Sequence, residues 1–319
     1  MELIKPDINI DFVGYKNTWL GISAVAIVLS IVIVLFRGGL NYGIDFTGGV
    51  MVHLRFAQAR SVSDVRDAVL PLNFGESNIQ DYGTEGTEFL IRLPLAASEV
   101  KDASDKLTGA LQDKFGKESF QVLRVEVVGP RVGNELRQRA LLAVFFSTIM
   151  MGAYIWLRFE WRFAIGAALA LMHDVVITIG ALALFHYEFD LTIIAALLTV
   201  VGFSVNDTVI VSDRIRENLR KNRRESLSSL INRSINETLS RTILTTGTTV
   251  VVTLALFFLG GNVIHGFAFA LLIGFIVGTY STVYVAGAIV LSLDNLVKGT
   301  KAAPATMKPA AAVTKAAKK

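Results

Sequence analysis

Six stretches of this chain are long and apolar enough to cross a bilayer, and that pattern limits the fold more than any other feature. A helix needs about 20 mostly apolar residues to traverse roughly 30 Å of hydrocarbon. Residues 18–36, 140–157, 242–260 and 267–293 qualify and carry no Asp, Glu, Lys or Arg; 163–185 carries only His173 and Asp174, and 191–212 carries Asp207. The last stretch is long enough to tilt or protrude. The chain is 52% hydrophobic and 18% charged, on the membrane side of soluble-domain norms. The first stretch follows 17 polar-leaning residues and no A-x-A site follows it, so it reads as a retained span, not a cleaved signal peptide.

Orientation follows from Lys and Arg in the short loops. The 158–162 loop has two Arg, and the 213–241 loop holds Arg214, Arg216, Arg220, Lys221, Arg223, Arg224 and Arg233. The 294–319 tail is also basic, whereas 186–190 and 261–266 contain no Lys or Arg. This alternation predicts cytoplasmic residues 1–17 and a cytoplasmic tail, with 37–139 on the opposite side. The basic run is a topology signal in this reading, with membrane lipid contact compatible and no nucleic acid partner expected. The Ala/Lys/Pro-rich tail after Thr300 reads as disordered.

Residues 37–139 are polar enough to fold in water. Val50, Val52, Leu54 and Phe56 alternate as on a half-buried strand. Ser61 caps a short helix with Val62, Val65 and Val69 inward. A weak strand near 78–82 and another over 88–93 follow. A helix over about 98–115 places Ala103, Leu107, Leu111 and Phe115 on one face, and 120–128 closes as a strand. The order β-α-β-β-α-β predicts a ferredoxin-like α+β domain, a fold that names no function by itself.

The chain has no Cys, its four His are not at metal-ligand spacing, and no GxxxxGK[ST] segment occurs. No thiolate chemistry, metal site, cofactor or ATP site is expected, and no enzyme active site is visible. The conspicuous chemistry lies inside the membrane, where an ionisable side chain costs about 2.5–3.5 kcal/mol. Asp207 lies about 24 Å along its helix from residue 191, in the cytoplasmic half. Arg241 opens the fifth span at the same edge, and Thr245, Thr248 and Thr249 share its face. That polar stripe is expected to oppose Asp207, with Arg241 as counter-ion. Asp174 sits near the midplane with Thr178 one turn on, while neighbouring His173 points about 100° away. A carboxyl group there is a candidate proton carrier; a plain structural hydrogen bond is the competing reading for each Asp, and lipid snorkelling for Arg241. Gly274 and Gly278 form a GxxxG that reads as helix packing.

Several motifs resemble the SecD/SecF family of export membrane proteins: NYGIDFTGG at 41–49, VGPRVGNEL at 128–136, RFEWR at 158–162, MHD at 172–174, FSVNDTVIVSDRIREN at 203–218 and SRTILTTGTT at 240–249. The resemblance covers roughly residues 12–295. It implies a multi-pass inner-membrane subunit that pairs with SecD, associates with the SecYEG channel, and uses the proton-motive force to help draw unfolded exported polypeptide across after SecA has driven the ATP-dependent stage. It places the functional pair on Asp207 and Arg241, with Asn206 preceding the Asp. Some relatives use sodium, and no residue here decides the ion. A proton-driven small-molecule exporter of the related resistance-nodulation-division type and a purely structural assembly factor are the alternatives.

Overall fold

A computed structural model describes residues 9–72, 77–81, 86–93, 100–222 and 224–301. Parts of the sequence expectations, residues 1–8, residue 82, residues 98–99, Arg223 and the tail beyond 301, lie outside the described residues.

Six membrane-length helices are present: α1 (Lys16–Phe36), α5 (Pro130–Arg158), α6 (Trp161–Leu184), α7 (Leu191–Lys221), α8 (Leu227–Leu259) and a last helix made of α9 (Gly261–Tyr280), a π-helical turn (Ser281–Ala286) and α10 (Gly287–Lys301). The third, fourth and sixth form the buried centre, while α1 and α8 bury little of themselves within this chain.

Between α1 and α5 lies the small domain. After the one-turn α2 (Ile44–Thr47) it runs β1 (Gly49–Phe56), α3 (Val62–Val69), β2 (Asn78–Asp81), β3 (Glu88–Leu93), α4 (Val100–Phe115) and β4 (Phe120–Val128). The sheet order is β2-β3-β1-β4 with every neighbouring pair antiparallel, which is the split-βαβ arrangement expected from the order of elements. The alternating residues of β1 are buried with Val65, Leu107 and Leu111. Ser61 caps α3 in a reciprocal capping box with Asp64, satisfying two amide donors at the helix start.

Two glycine-bearing motifs meet at the domain's root. A Cβ on Gly133 would lie 2.9 Å from the Gly48 nitrogen and 2.9 Å from the Phe46 oxygen, so only a glycine lets the start of α5 lie against the 41–49 segment. That segment also bonds the α6–α7 connection, Gly43 N to Phe189 O at 3.0 Å and Phe189 N to Asn41 O at 2.7 Å. Glu188 of this connection accepts from Arg92 on β3 and from Asn78 on β2. It ties the sheet to the helical bundle.

The 213–241 segment differs from the expected loop. It is helical except around 222–226, because α7 continues to Lys221 and α8 starts at Leu227 behind an N-cap at Ser226. Ile215 on one helix and Leu230, Ile231 and Ile235 on the other are buried, and Arg214 bridges to Glu217 and Glu237. Hydropathy marks where a helix leaves the membrane, not where it ends. Residues before α1 are bonded to this hairpin. Asn232 accepts from the amides of Phe12 and Val13, and Asn236 accepts from that of Ile10.

Candidate functional site

Span four and span five bring Asp207 beside Thr242. The Asp207 carboxylate is 7% exposed. Its Oδ1 accepts a hydrogen bond of 2.7 Å from the Thr242 hydroxyl, and its Oδ2 is buried with no hydrogen-bond partner among the described residues. Neighbouring Thr208 pairs with Thr282 at 3.0 Å. A buried carboxylate oxygen with no donor is costly, and it is an acceptor still open to a proton, a water or an approaching cation; the buried His173 Nε2 is likewise without a partner among the described residues.

The expected stripe is displaced by one residue. Thr242 and Thr246 face the bundle, the latter pairing with Thr279 of α9 at 2.8 Å. Arg241, Thr245 and Thr248 are exposed on the adjoining face. The Thr245 hydroxyl donates to the Arg241 carbonyl and that of Thr248 to the Leu244 carbonyl at 3.0 Å, so both are satisfied within their own helix. Arg241 forms no ion pair with Asp207. Successive residues on a helix stand 100° apart, so the stripe through 241, 245 and 248 and the one through 242, 246 and 253 are neighbours that sequence periodicity does not rank. Asn206 is likewise exposed, on the outer surface of α7.

Asp174 is in a different state. It is fully buried; Oδ2 accepts from Ser204 of α7 at 2.6 Å and from Ser281 of the π-helical turn at 2.8 Å, and Oδ1 lies 2.9 Å from His173 Nδ1. One carboxylate thus joins three helices. The 100° between their Cβ directions left the adjacent pair free to act separately, yet His173 and Asp174 are in contact. The ring of His173 also stacks on Tyr280, whose hydroxyl donates to the Trp19 carbonyl on α1 at 3.1 Å. Asp213 is exposed, 3.3 Å from Arg158.

The GxxxG of the last helix makes this packing possible. A Cβ on Gly274 would meet Val200 Cγ2 at 2.1 Å, and one on Gly278 would meet Ser204 Cβ at 3.2 Å. These glycines press α9 onto α7 and bring Ser281 and Ser204 to the same carboxylate, as small residues do at helix crossings in membranes. The sequence reading did not single out Thr242, Ser204 or Ser281. Lone hydroxyls are ordinary in apolar helices, and only the crossing shows which ones meet an Asp. Among the described residues no group of three or more His, Asp or Glu side chains is arranged to hold a metal ion.

Comparison with known proteins places the chain. The family model described as protein export membrane protein SecD/SecF, C-terminal, matches residues 108–296, and the SecD/SecF GG motif matches residues 33–59. The chain is 43% identical to the protein translocase subunit SecF of Vibrio alginolyticus over 293 residues, 92% of each chain. It is 41% identical to that of Escherichia coli O157:H7, over 89% of this chain and 87% of the other. Among solved structures, the crystal structure of SecDF from Thermus thermophilus superposes with a TM-score of 0.79 at 38% identity; the match covers 92% of this chain and 40% of that one. The chain therefore spans less than half of the SecDF polypeptide while matching the SecF relatives along most of their length. It belongs to the SecD/SecF family of protein export membrane proteins, on the SecF side.

Proposed function

We propose that this chain is one half of a gradient-driven export motor in the inner membrane, with both termini cytoplasmic, acting beside SecYEG on polypeptide that SecA has started across. In this reading Asp207 takes up and releases the coupling ion, a proton, and Arg241 is the cation whose approach or withdrawal sets when it does so. The observation that carries the reading is the buried Asp207 oxygen with no donor, at a membrane depth where a carboxylate without a task is expensive. Asp174, with three donors, is the structural tie. A membrane potential of 100 mV supplies about 2.3 kcal/mol per charge crossing.

Two surfaces support a SecD partner. The outer face of α8 presents Arg241, Thr245 and Thr248 together with exposed Val251 and Val252. In the sheet, β4 is an edge strand with Leu123, Val125 and Val127 exposed, the kind of edge that proteins pair or cover. The larger remainder of the SecDF chain is the natural occupant of both.

The test is export into inverted vesicles carrying this chain with SecD and the channel. Asp207→Asn is expected to abolish the stimulation by a proton gradient and leave ATP-driven initiation intact. Wild-type export in that variant would sink the reading. A sodium gradient that stimulates the wild type where a proton gradient does not would reassign the ion.

A further inference from the structure

The cations of the cytoplasmic helical hairpin sort into two groups. Arg214 and Lys221 on α7 and Arg233 on α8 each pair with a carboxylate of the same hairpin. Arg216, Arg220 and the turn residue Arg224 do not: among the described residues none of the three has a carboxylate partner, and Arg216 donates to the Arg158 carbonyl at 3.3 Å. Arg216 and Arg220, four residues apart, lie on one face of α7, and that face, unlike Arg224, lines a cleft.

The cleft has a volume of about 520 Å³ and lies between the end of α7 and the short α5–α6 connection. Its cationic lining is Arg158, Arg216 and Arg220; its one acidic residue is Glu160; Leu157, Phe159, Phe163 and Leu219 form the apolar side. Arg158 is held against Asp213, so the two guanidiniums of α7 are those left to take an anion. The cleft is at the bilayer surface. Trp156 and Trp161 flank it, 64% and 41% exposed, and exposed indoles at the two sides of a helix connection mark the headgroup layer. Leu157, beside Arg158, is 88% exposed and faces where acyl chains lie.

We infer that this cleft is a binding site for the headgroup phosphate of an anionic phospholipid, held by Arg216 and Arg220 while the acyl chains follow the exposed apolar surface at Leu157 and Trp156. Guanidinium pairs suit phosphate oxygens in bidentate geometry. The unpaired state of these two arginines beside carboxylate-matched neighbours is what separates a site from a general basic surface. A lipid there would brace the α5–α6 connection against α7, the helix that carries Asp207.

The test is native mass spectrometry of the full chain released from detergent with added phosphatidylglycerol, phosphatidylcholine or inorganic phosphate. Wild type should retain phosphatidylglycerol at least fivefold over phosphatidylcholine. The double variant Arg216→Gln/Arg220→Gln should lose that preference, whereas Lys221→Gln, a charge removed from the same helix end but from a paired group, should keep it. Equal loss in both variants would reduce the effect to diffuse charge and overturn the site, and so would full retention in the double variant. Displacement of the lipid by equimolar inorganic phosphate would show a free-anion site instead. Should the double variant unfold on heating earlier than wild type, Arg216→Lys/Arg220→Lys, which keeps both charges, decides: a weakened preference supports the forked contact and an unchanged one refutes it.

Discussion

Asp174 and Asp207 both lie within apolar spans, and what separates them is how many groups reach each one. Asp174 receives Ser204, Ser281 and His173. Among the described residues Asp207 receives Thr242 alone. Removing Asp174 strands the Ser204 hydroxyl and the His173 ring nitrogen in the bundle centre, while Ser281 keeps the Gly278 carbonyl at 3.0 Å; each buried group left unpaired costs about 1–3 kcal/mol. Asp174→Ala is therefore expected to lower the midpoint of thermal unfolding in detergent by many degrees. Asp207→Asn keeps the shape and an acceptor for Thr242, so its midpoint should lie near wild type although gradient-stimulated export is gone. If both variants unfold alike, the division into a structural and a working aspartate fails. Thr242 offers a finer probe. Thr242→Val keeps the volume and removes the only donor to Asp207; gradient-stimulated export should drop several-fold, and Thr242→Ser should restore it. A fully active Thr242→Val would mean the hydroxyl has no part in holding the carboxylate.

At the scale of elements, the α6–α7 connection joins the small domain to the bundle through a group whose ionisation is unfavourable. Burial raises the Glu188 carboxyl to about 7; Arg92 pulls it down, and the neighbouring Asp190 and Asp45 push it up. Undocked and in water it would titrate near 4.5. The docked state thus holds the proton more tightly, and between these two values docking weakens as pH rises, by an amount on the order of 3 kcal/mol once the group is fully ionised. Exchange of the Gly43 and Phe189 amides, which bond across this joint, reads it out. After correction for intrinsic rates, protection should be greater at pH 5.5 than at pH 8 in wild type and equal at both in Glu188→Gln. Protection that grows with pH would mean that the Arg92 ion pair outweighs desolvation. None of this was visible in the sequence, where Glu188 is one polar residue in a short turn. The domain itself was legible, because strands with one wet face alternate and Ser61 announces a helix start. The paired end of α7 and start of α8 were not, since beyond the apolar runs their buried faces are only every third or fourth residue and the charges between them look like a loop.

For the molecule as a whole, six spans could be counted from the sequence because lipid demands long apolar runs, yet which face each span turns inward could not. In α8 the reason is particular. Its threonines satisfy their hydroxyls on carbonyls one turn back in the same helix, so no outward-facing Thr is forced to seek a partner and the pattern stays ambiguous. The structure resolves this by burying Thr242 and Thr253 and leaving Arg241, Thr245 and Thr248 outside. Arg241 at that edge still needs water or a polar neighbour, and α8 buries little against its own chain. A second subunit covering this face meets both demands, whereas α1, equally uncovered but apolar at Val25, Val28 and Val32, is suited to lipid. The absence of cysteine from the chain makes the distinction directly testable, because a single introduced thiol has no competitor here. With SecD coexpressed and carrying a thiol scanned along its membrane helices, Thr248→Cys is expected to form a disulfide-linked pair in high yield at one or a few SecD positions, and Val28→Cys at none. Efficient linkage through Val28 with none through Thr248 would put the partner on the other side of the bundle. It would leave Arg241 facing lipid and remove it from any role in moving charge to Asp207.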